Sequence, residues 1–281
     1  MRFDYRIVNV FTQAAGRLTG NPLCVFEDAR GLDDAQMQAL ALQFNLSETT
    51  FMLPSDGADA RLRIFTPDYE MPFAGHPTLG SAHVLRSCRG RGDAITLEMR
   101  AGIIPVRADG DHWELRANPA TTRPPRATAA ELAAALGLVI SDLDGPALWV
   151  DTGSEQLIVP LASAGAVSRA RVSHESLLQA TADGPRAQAY VFASTGPETL
   201  VSRFFFSKSG STLEDPATGS ATANLGGWYL AQQATAVPLK RSISQGAQAG
   251  RPSTLQLRID GDRQVFVAGE VVELGRGYVE L

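Results

Sequence analysis

Phe3, Tyr5 and Ile7, then Val8 and Val10, set apolar side chains at mostly alternate positions and predict a half-buried first strand. Gly20-Asn21-Pro22 breaks the pattern and turns the chain into a second apolar run at 23–26. Asp33 or Asp34 then supplies a cap for a helix whose face is Met37, Leu40, Ala41 and Phe44. Short strands follow near 50–53 and 62–65, then a loop over 66–75 and a helix from Pro77 to about Leu85. Three more strand-like runs lie at 95–99, 103–107 and 113–116.

Residues 118–127 hold three prolines and two arginines without periodicity, which reads as a linker between lobes. The expected lobes are 1–117 with 273–281, and 118–272. Beyond the linker come a helix at 129–136, a strand at 147–150, a turn at Thr152-Gly153 and an apolar run at 157–161. A helix near 175–181, strands at 189–193 and 201–206, a loop at 207–218 and a helix from about Ser220 to Gln232 follow. Strands at 255–259 and 264–272 close the chain. The halves repeat an order of parts. Each has a glycine turn into an apolar strand, and later a strand, an acidic loop and a small-residue helix start. Gly75-His76-Pro77-Thr78-Leu79-Gly80-Ser81-Ala82 lies beside Asp215-Pro216-Ala217-Thr218-Gly219-Ser220-Ala221, a trace of internal duplication.

The composition narrows the function. The chain has 281 residues, 44% hydrophobic and 20% charged, enough apolar material for a substantial core in about two domains. A net charge of -5, with no basic run, argues against nucleic acid. The charged start is neither a signal nor a transit peptide, and no stretch nears the roughly 18 apolar residues of a membrane span. Cys24 and Cys88 are far apart and lack metal or disulfide spacing, so a reducing cytoplasm is the expected location. Histidine spacing gives no metal site, and no glycine-rich nucleotide loop follows a strand.

The chemistry points to the two helix starts. A helix N-terminus offers unpaired amides and a partial positive charge, worth roughly 0.3–2 kcal/mol toward an anion. Two such ends across a cleft between lobes would hold a small carboxylate. His76 and Asp215 stand at these mouths. His76 between Gly75 and Pro77 suits hydrogen bonding to a substrate, whereas Asp215 before Pro216 is also compatible with a turn or cap. Glu48 follows Ser47 just before an apolar strand. Desolvation there would raise its pKa and suit a general base that returns its proton, although from spacing alone a solvated boundary glutamate is the better fit. His83 is expected to have a partner within the fold, with His112 and His174 exposed and both cysteines packed in the interior.

Ser47-Glu48-Thr49, Phe73-Ala74-Gly75-His76-Pro77-Thr78 and Glu214-Asp215-Pro216-Ala217-Thr218-Gly219-Ser220-Ala221 resemble the PhzF family of phenazine-biosynthesis-like isomerases. The opening, with Asp4, Phe11 and Gly20-Asn21-Pro22, and the late Gln245-Gly246 to Gly250-Arg251-Pro252-Ser253 extend the resemblance over nearly the whole chain. It implies an α+β fold like diaminopimelate epimerase, with two pseudo-symmetric lobes, each a mixed, largely antiparallel sheet around a central helix. It also implies a homodimer and neither metal nor organic cofactor. Glu48 would be the acid–base, His76 and Asp215 would bond the substrate's polar groups, Gly219 and Ser220 would hold its carboxylate, and Ser47 and Gly75 would line the site. Epimerases of this fold use a cysteine at each helix mouth. Those places fall here on Ala74 and Thr218, which excludes a two-thiol mechanism and leaves a proton-moving isomerase of a small cyclic or unsaturated carboxylate. An amino-acid racemase using Glu48 with His76 or Asp215, and a carboxylate-binding protein without turnover, are the alternatives.

Overall fold

The computed structural model describes residues 1–13, 16–90, 92–208, 210–232 and 235–281. It divides into two units, Met1–Ala117 with Val267–Leu281, and Asn118–Phe266.

The first unit contains β1 (Arg2–Val10), β2 (Asn21–Phe26), α1 (Asp34–Phe44), β3 (Glu48–Leu53), β4 (Ala60–Phe65), β5 (Glu70–Met71), α2 (Gly75–Arg89), β6 (Ala94–Met99), β7 (Gly102–Asp109) and β8 (His112–Arg116). β1–β2 is antiparallel, β2–β3 parallel, β3–β4 antiparallel and β4–β6 parallel, and β6, β7 and β8 form an antiparallel meander. The last strand, Val265–Glu280, pairs with β1 from Arg2↔Glu280 to Val10↔Val271 and also with β8. The ladder therefore closes on itself and leaves no long edge to template aggregation.

Helix α2 contacts β1, β2, β3, β4, β6, β7 and β8, so it runs inside this ring. It is buried from Gly75 to Ala82 and again at Val84 and Leu85. Small residues let the strands close around it. A Cβ at Gly80 would sit 2.6 Å from Leu23 Cδ2 and 3.0 Å from a methyl of both Val8 and Val10. Leu23 thus faces α2, while its neighbours Cys24 and Phe26 face the other way, as the two-residue period of a strand requires. That other face is covered by α1, whose Met37, Leu40 and Ala41 pack with Phe3, Phe26, Phe51 and Phe65.

The second unit contains β9 (Thr121–Arg123), α3 (Ala129–Ala135), β10 (Leu148–Asp151), β11 (Gln156–Pro160), α4 (Ala164–Arg169), α5 (His174–Ala180), β12 (Gln188–Ser194), β13 (Thr199–Lys208), β14 (Ser211–Asp215), α6 (Gly219–Ala231), β15 (Leu239–Gln245) and β16 (Ser253–Ile259). β10–β11 is antiparallel, β11–β12 parallel, β12–β13 antiparallel, β13–β15 parallel and β15–β16 antiparallel. This is the series that runs from β1 to β7 in the first unit. In both units a short extra strand, β5 or β14, leads into the buried central helix. Helix α6 is buried continuously from Gly219 to Trp228. The opposite layer is a core of Trp149, Leu157, Val159, Val191 and Phe205 packed with residues of α3, α4 and α5.

Several local expectations change. The 118–127 segment contains β9, which pairs with β10 at Trp149↔Arg123, so its prolines flank a strand instead of forming a free linker. Most of the expected loop at 207–218 is a hairpin of β13 and β14, with Phe206↔Leu213 in register; Ser209 lies outside the described residues. Helix α2 opens at Gly75, two residues before Pro77, because the first helical turn tolerates a proline that needs no amide partner. The chain returns to the first unit at Val267, inside the unbroken last strand, and not at residue 273. Strand pairing to β1 already begins at Val271, which makes a break at 273 unnecessary.

Candidate active site

The left-handed cap at Asn45, φ 50°, stops α1, and Leu46 and Ser47 bend the chain so that β3 starts at Glu48. The parallel register Leu23↔Glu48 fixes this carboxylate beside β2. His76 is the second residue of α2, buried at 4% side-chain exposure. Its Nε2 lies 3.2 Å from Glu48 Oε2, whose side chain is 14% exposed. Two separate motifs are brought together here, and Gly75 and Ser47 adjoin the pair in sequence.

The imidazole is held in one form. Burial pushes the His76 pKa down from 6.5 to about 3, opposed only in part by a hydrogen bond to the Pro22 backbone. Proline has no N–H, so Pro22 supplies its carbonyl and the ring donates. Nε2 has no hydrogen-bond partner among the described residues, so the donor is Nδ1. The tautomer assigned on this basis presents the Nε2 lone pair to Glu48. A lone pair and a carboxylate at this distance are best bridged by one proton.

Asp215, Gly219 and Ser220 lie in the second unit. Asp215 ends β14, and its Oδ2 accepts a 2.6 Å bond from the Thr218 hydroxyl. Gln245 ties this corner together: its Nε2 donates to Asp215 O at 2.9 Å and Thr218 Oγ1 at 3.0 Å, while its Oε1 accepts from the Thr218 amide at 3.3 Å. Gly219 and Ser220 open α6. Ser220 Oγ accepts from Gln156 Nε2 at 3.0 Å.

Helices α1, α3, α4 and α5 all carry a side-chain cap bond. Helices α2 and α6 do not, and their cap residues are Ala74 and Thr218. The two central helices therefore keep their first amides clear of side-chain caps, as an anion site needs. Neither cap position, Ala74 nor Thr218, carries a thiol.

The remaining histidines are structural. His83 Nδ1 accepts from Trp113 Nε1 at 3.3 Å, as its place on α2 suggests. His112 and His174 are half-buried rather than exposed, because Glu270 at 3.1 Å and Ser207 at 2.6 Å cover their Nδ1 atoms. Cys24 is buried and Cys88 half-buried, and burial pushes both thiols up, Cys88 to about 12. Gln156, Asn224 and Gln245 escaped the residue-by-residue reading. Gln156 and Asn224 are amide side chains within an apolar strand and helix, where burial implies a hydrogen-bonded role, whereas Gln245 ends the polar strand β15 and gives no such signal.

An α+β protein with a duplicated strand series and an uncapped central helix in each half belongs to a fold class shared by PhzF proteins and epimerases of proline derivatives. A family model described as phenazine biosynthesis-like protein matches residues 8–277. An uncharacterised isomerase of Pasteurella multocida is 38% identical, over 98% of this chain and 93% of that protein. A trans-2,3-dihydro-3-hydroxyanthranilate isomerase of Pseudomonas aeruginosa is 35% identical, over 98% of this chain and 97% of that protein. The crystal structure of a PhzF-family phenazine biosynthesis protein of Bacillus anthracis superposes with a TM-score of 0.84 at 27% identity, covering 100% of both chains. The chain belongs to the PhzF family and is an isomerase.

Proposed function

We propose that this isomerase moves one proton, and with it a double bond, on a small cyclic or unsaturated carboxylate, with Glu48 as the single acid–base. The observation that carries the reading is the buried 3.2 Å contact between Glu48 Oε2 and the neutral, Pro22-anchored imidazole of His76. Glu48 takes the proton from one carbon and returns it to another. His76 stays neutral: its Nε2 accepts a hydrogen bond from the Glu48 carboxyl while Glu48 carries the proton, and so steadies the carboxyl between the two steps. Asp215 bonds a polar group of the substrate, and the amides of Gly219 and Ser220 with the Ser220 hydroxyl hold its carboxylate. Ser47 and Gly75 line the Glu48 side. No thiol stands at Ala74 or Thr218, so inversion of a stereocentre between two opposed cysteines is not available.

The names of relatives suggest the first compound to offer, trans-2,3-dihydro-3-hydroxyanthranilate, with 3-hydroxyanthranilate as a non-reacting ligand. Ultraviolet absorbance follows the shift of the double bond. Glu48→Gln is expected to lower turnover roughly a hundred- to ten-thousand-fold, the range lost with a general acid–base, while 3-hydroxyanthranilate still binds. A variant as active as the wild type would remove Glu48 from the chemistry. Ser220→Ala is expected to weaken 3-hydroxyanthranilate roughly ten- to a hundred-fold, the worth of a hydrogen bond to a charged group.

A further inference from the structure

Behind Ser220 stands a chain of buried amides whose polarity is set by the backbone. Asn224 Nδ2 donates to the carbonyl of Ser154 at 2.8 Å. A carbonyl only accepts, so this bond settles which end of the Asn224 amide is nitrogen. Its second N–H goes to Gln156 Oε1 at 2.8 Å, and Thr152 Oγ1 donates to Asn224 Oδ1 at 2.7 Å. With its oxygen turned to Asn224, Gln156 must present nitrogen to Ser220 Oγ, 3.0 Å away. Flipping Gln156 would set two N–H groups against each other at Asn224. Thr152, Gln156, Ser220 and Asn224 are 1%, 2%, 5% and 0% exposed, so water does not relax the constraint. Ser220 Oγ accepts one bond and has no acceptor for its own proton among the described residues.

We propose that Gln156 is a positioning residue that fixes Ser220 as a hydrogen-bond donor, so that this half of the site takes ligand groups that present an acceptor, such as a carboxylate oxygen. The proposal rests on the reading of Ser220 given above and adds a residue to it. Asn224 and the Ser154 carbonyl act one and two steps behind Gln156. A hydroxyl free to rotate would lose part of its preference for an acceptor, and a hydroxyl facing a reversed amide would present a lone pair.

The test replaces the hydroxyl by a group whose proton can be titrated. Ser220→Cys places a thiol where Gln156 donates, and an N–H donor favours the thiolate. Ultraviolet titration, read as the difference from the protein with Ser220 intact, isolates this thiolate from the five tyrosines and from Cys24 and Cys88, which are both pushed well up. Burial raises the midpoint and the Gln156 N–H holds it down, so Gln156→Leu in the same background is expected to raise it by about one pH unit, a tenfold loss of acidity. Gln156→Met, closer in volume, repeats the measurement if the leucine variant does not fold. An unchanged midpoint in a folded double variant overturns the proposal. Binding of 3-hydroxyanthranilate to Ser220→Ala is measured beside it. A shifted thiol with unchanged affinity keeps the positioning role and loses the carboxylate reading; an unshifted thiol with weakened affinity does the reverse.

Discussion

At the mouth of α2, burial removes the water that would solvate a charged imidazole, and His76 stays neutral down to a pH of about 3. The consequence for stability has a definite sign. Between about 6.5 and 3 the unfolded chain binds a proton at this residue that the folded chain does not. Stability contributed by the neutral ring is therefore fully present above about 6.5 and is lost as pH falls through that window, by at most about 1.4 kcal/mol per pH unit. Urea unfolding at several pH values is expected to show a shallower acid loss in His76→Gln than in wild type. Equal slopes would mean that the ring takes up its proton in the fold. Glu48 could be singled out by its place between α1 and an apolar strand, and His76 and Asp215 by theirs beside small-residue helix starts. Gln156 and Asn224 were not. An amide inside an apolar run is one residue among many until the fold shows that it faces Ser220 and the Ser154 carbonyl.

The elements obey the same logic of close approach. Glycine in a helix interior ordinarily costs about 1 kcal/mol relative to alanine. In α6 the sign reverses, because a Cβ at Gly226 would stand 2.5 Å and 3.0 Å from the two methyls of Val265 and 3.1 Å from Leu257 Cδ1. Gly226→Ala is expected to destabilise the protein by about 1–3 kcal/mol, the usual cost of overpacking, seen as a lower Tm. A raised Tm would show that the strands yield to the extra methyl. Strands with clean alternation, such as β1, and apolar runs, such as β2 and β12, could be read directly from the chain. Those built from polar residues could not. β15 is Leu-Lys-Arg-Ser-Ile-Ser-Gln, with only Leu239, Ile243 and Gln245 buried, and its place is set by pairing with β13 and β16. β9 is likewise held by β10, distant in sequence, β14 by its hairpin with β13, and α4 by the Ser163 cap and contacts with β12 and β13.

On the scale of the molecule, duplication was visible in the sequence as a repeated order of parts and two similar helix starts, whereas the strand pairings carry it plainly: antiparallel, parallel, antiparallel, parallel, antiparallel in each unit. The last strand supplies what the first unit lacks, closing its ring between β1 and β8. No helix of the described residues is long and apolar enough to cross a membrane. Each unit keeps one small-residue helix at its centre with its first turn uncapped, and the difference between the halves is chemical. One carries the Glu48 carboxyl group 3.2 Å from a neutral imidazole; the other carries hydroxyls and amides with fixed polarity. The account therefore assigns proton movement to Glu48 and recognition to the second unit. Its central claim is tested most directly by turnover of trans-2,3-dihydro-3-hydroxyanthranilate in deuterium oxide, with the product examined by mass spectrometry and NMR. Wild type is expected to place deuterium at the carbon that gains the proton to the extent that the Glu48 carboxyl exchanges with solvent before returning it, and Glu48→Gln to bind the analogue with turnover and uptake both lowered about a hundredfold or more. Turnover with deuterium uptake undiminished in Glu48→Gln would contradict the account.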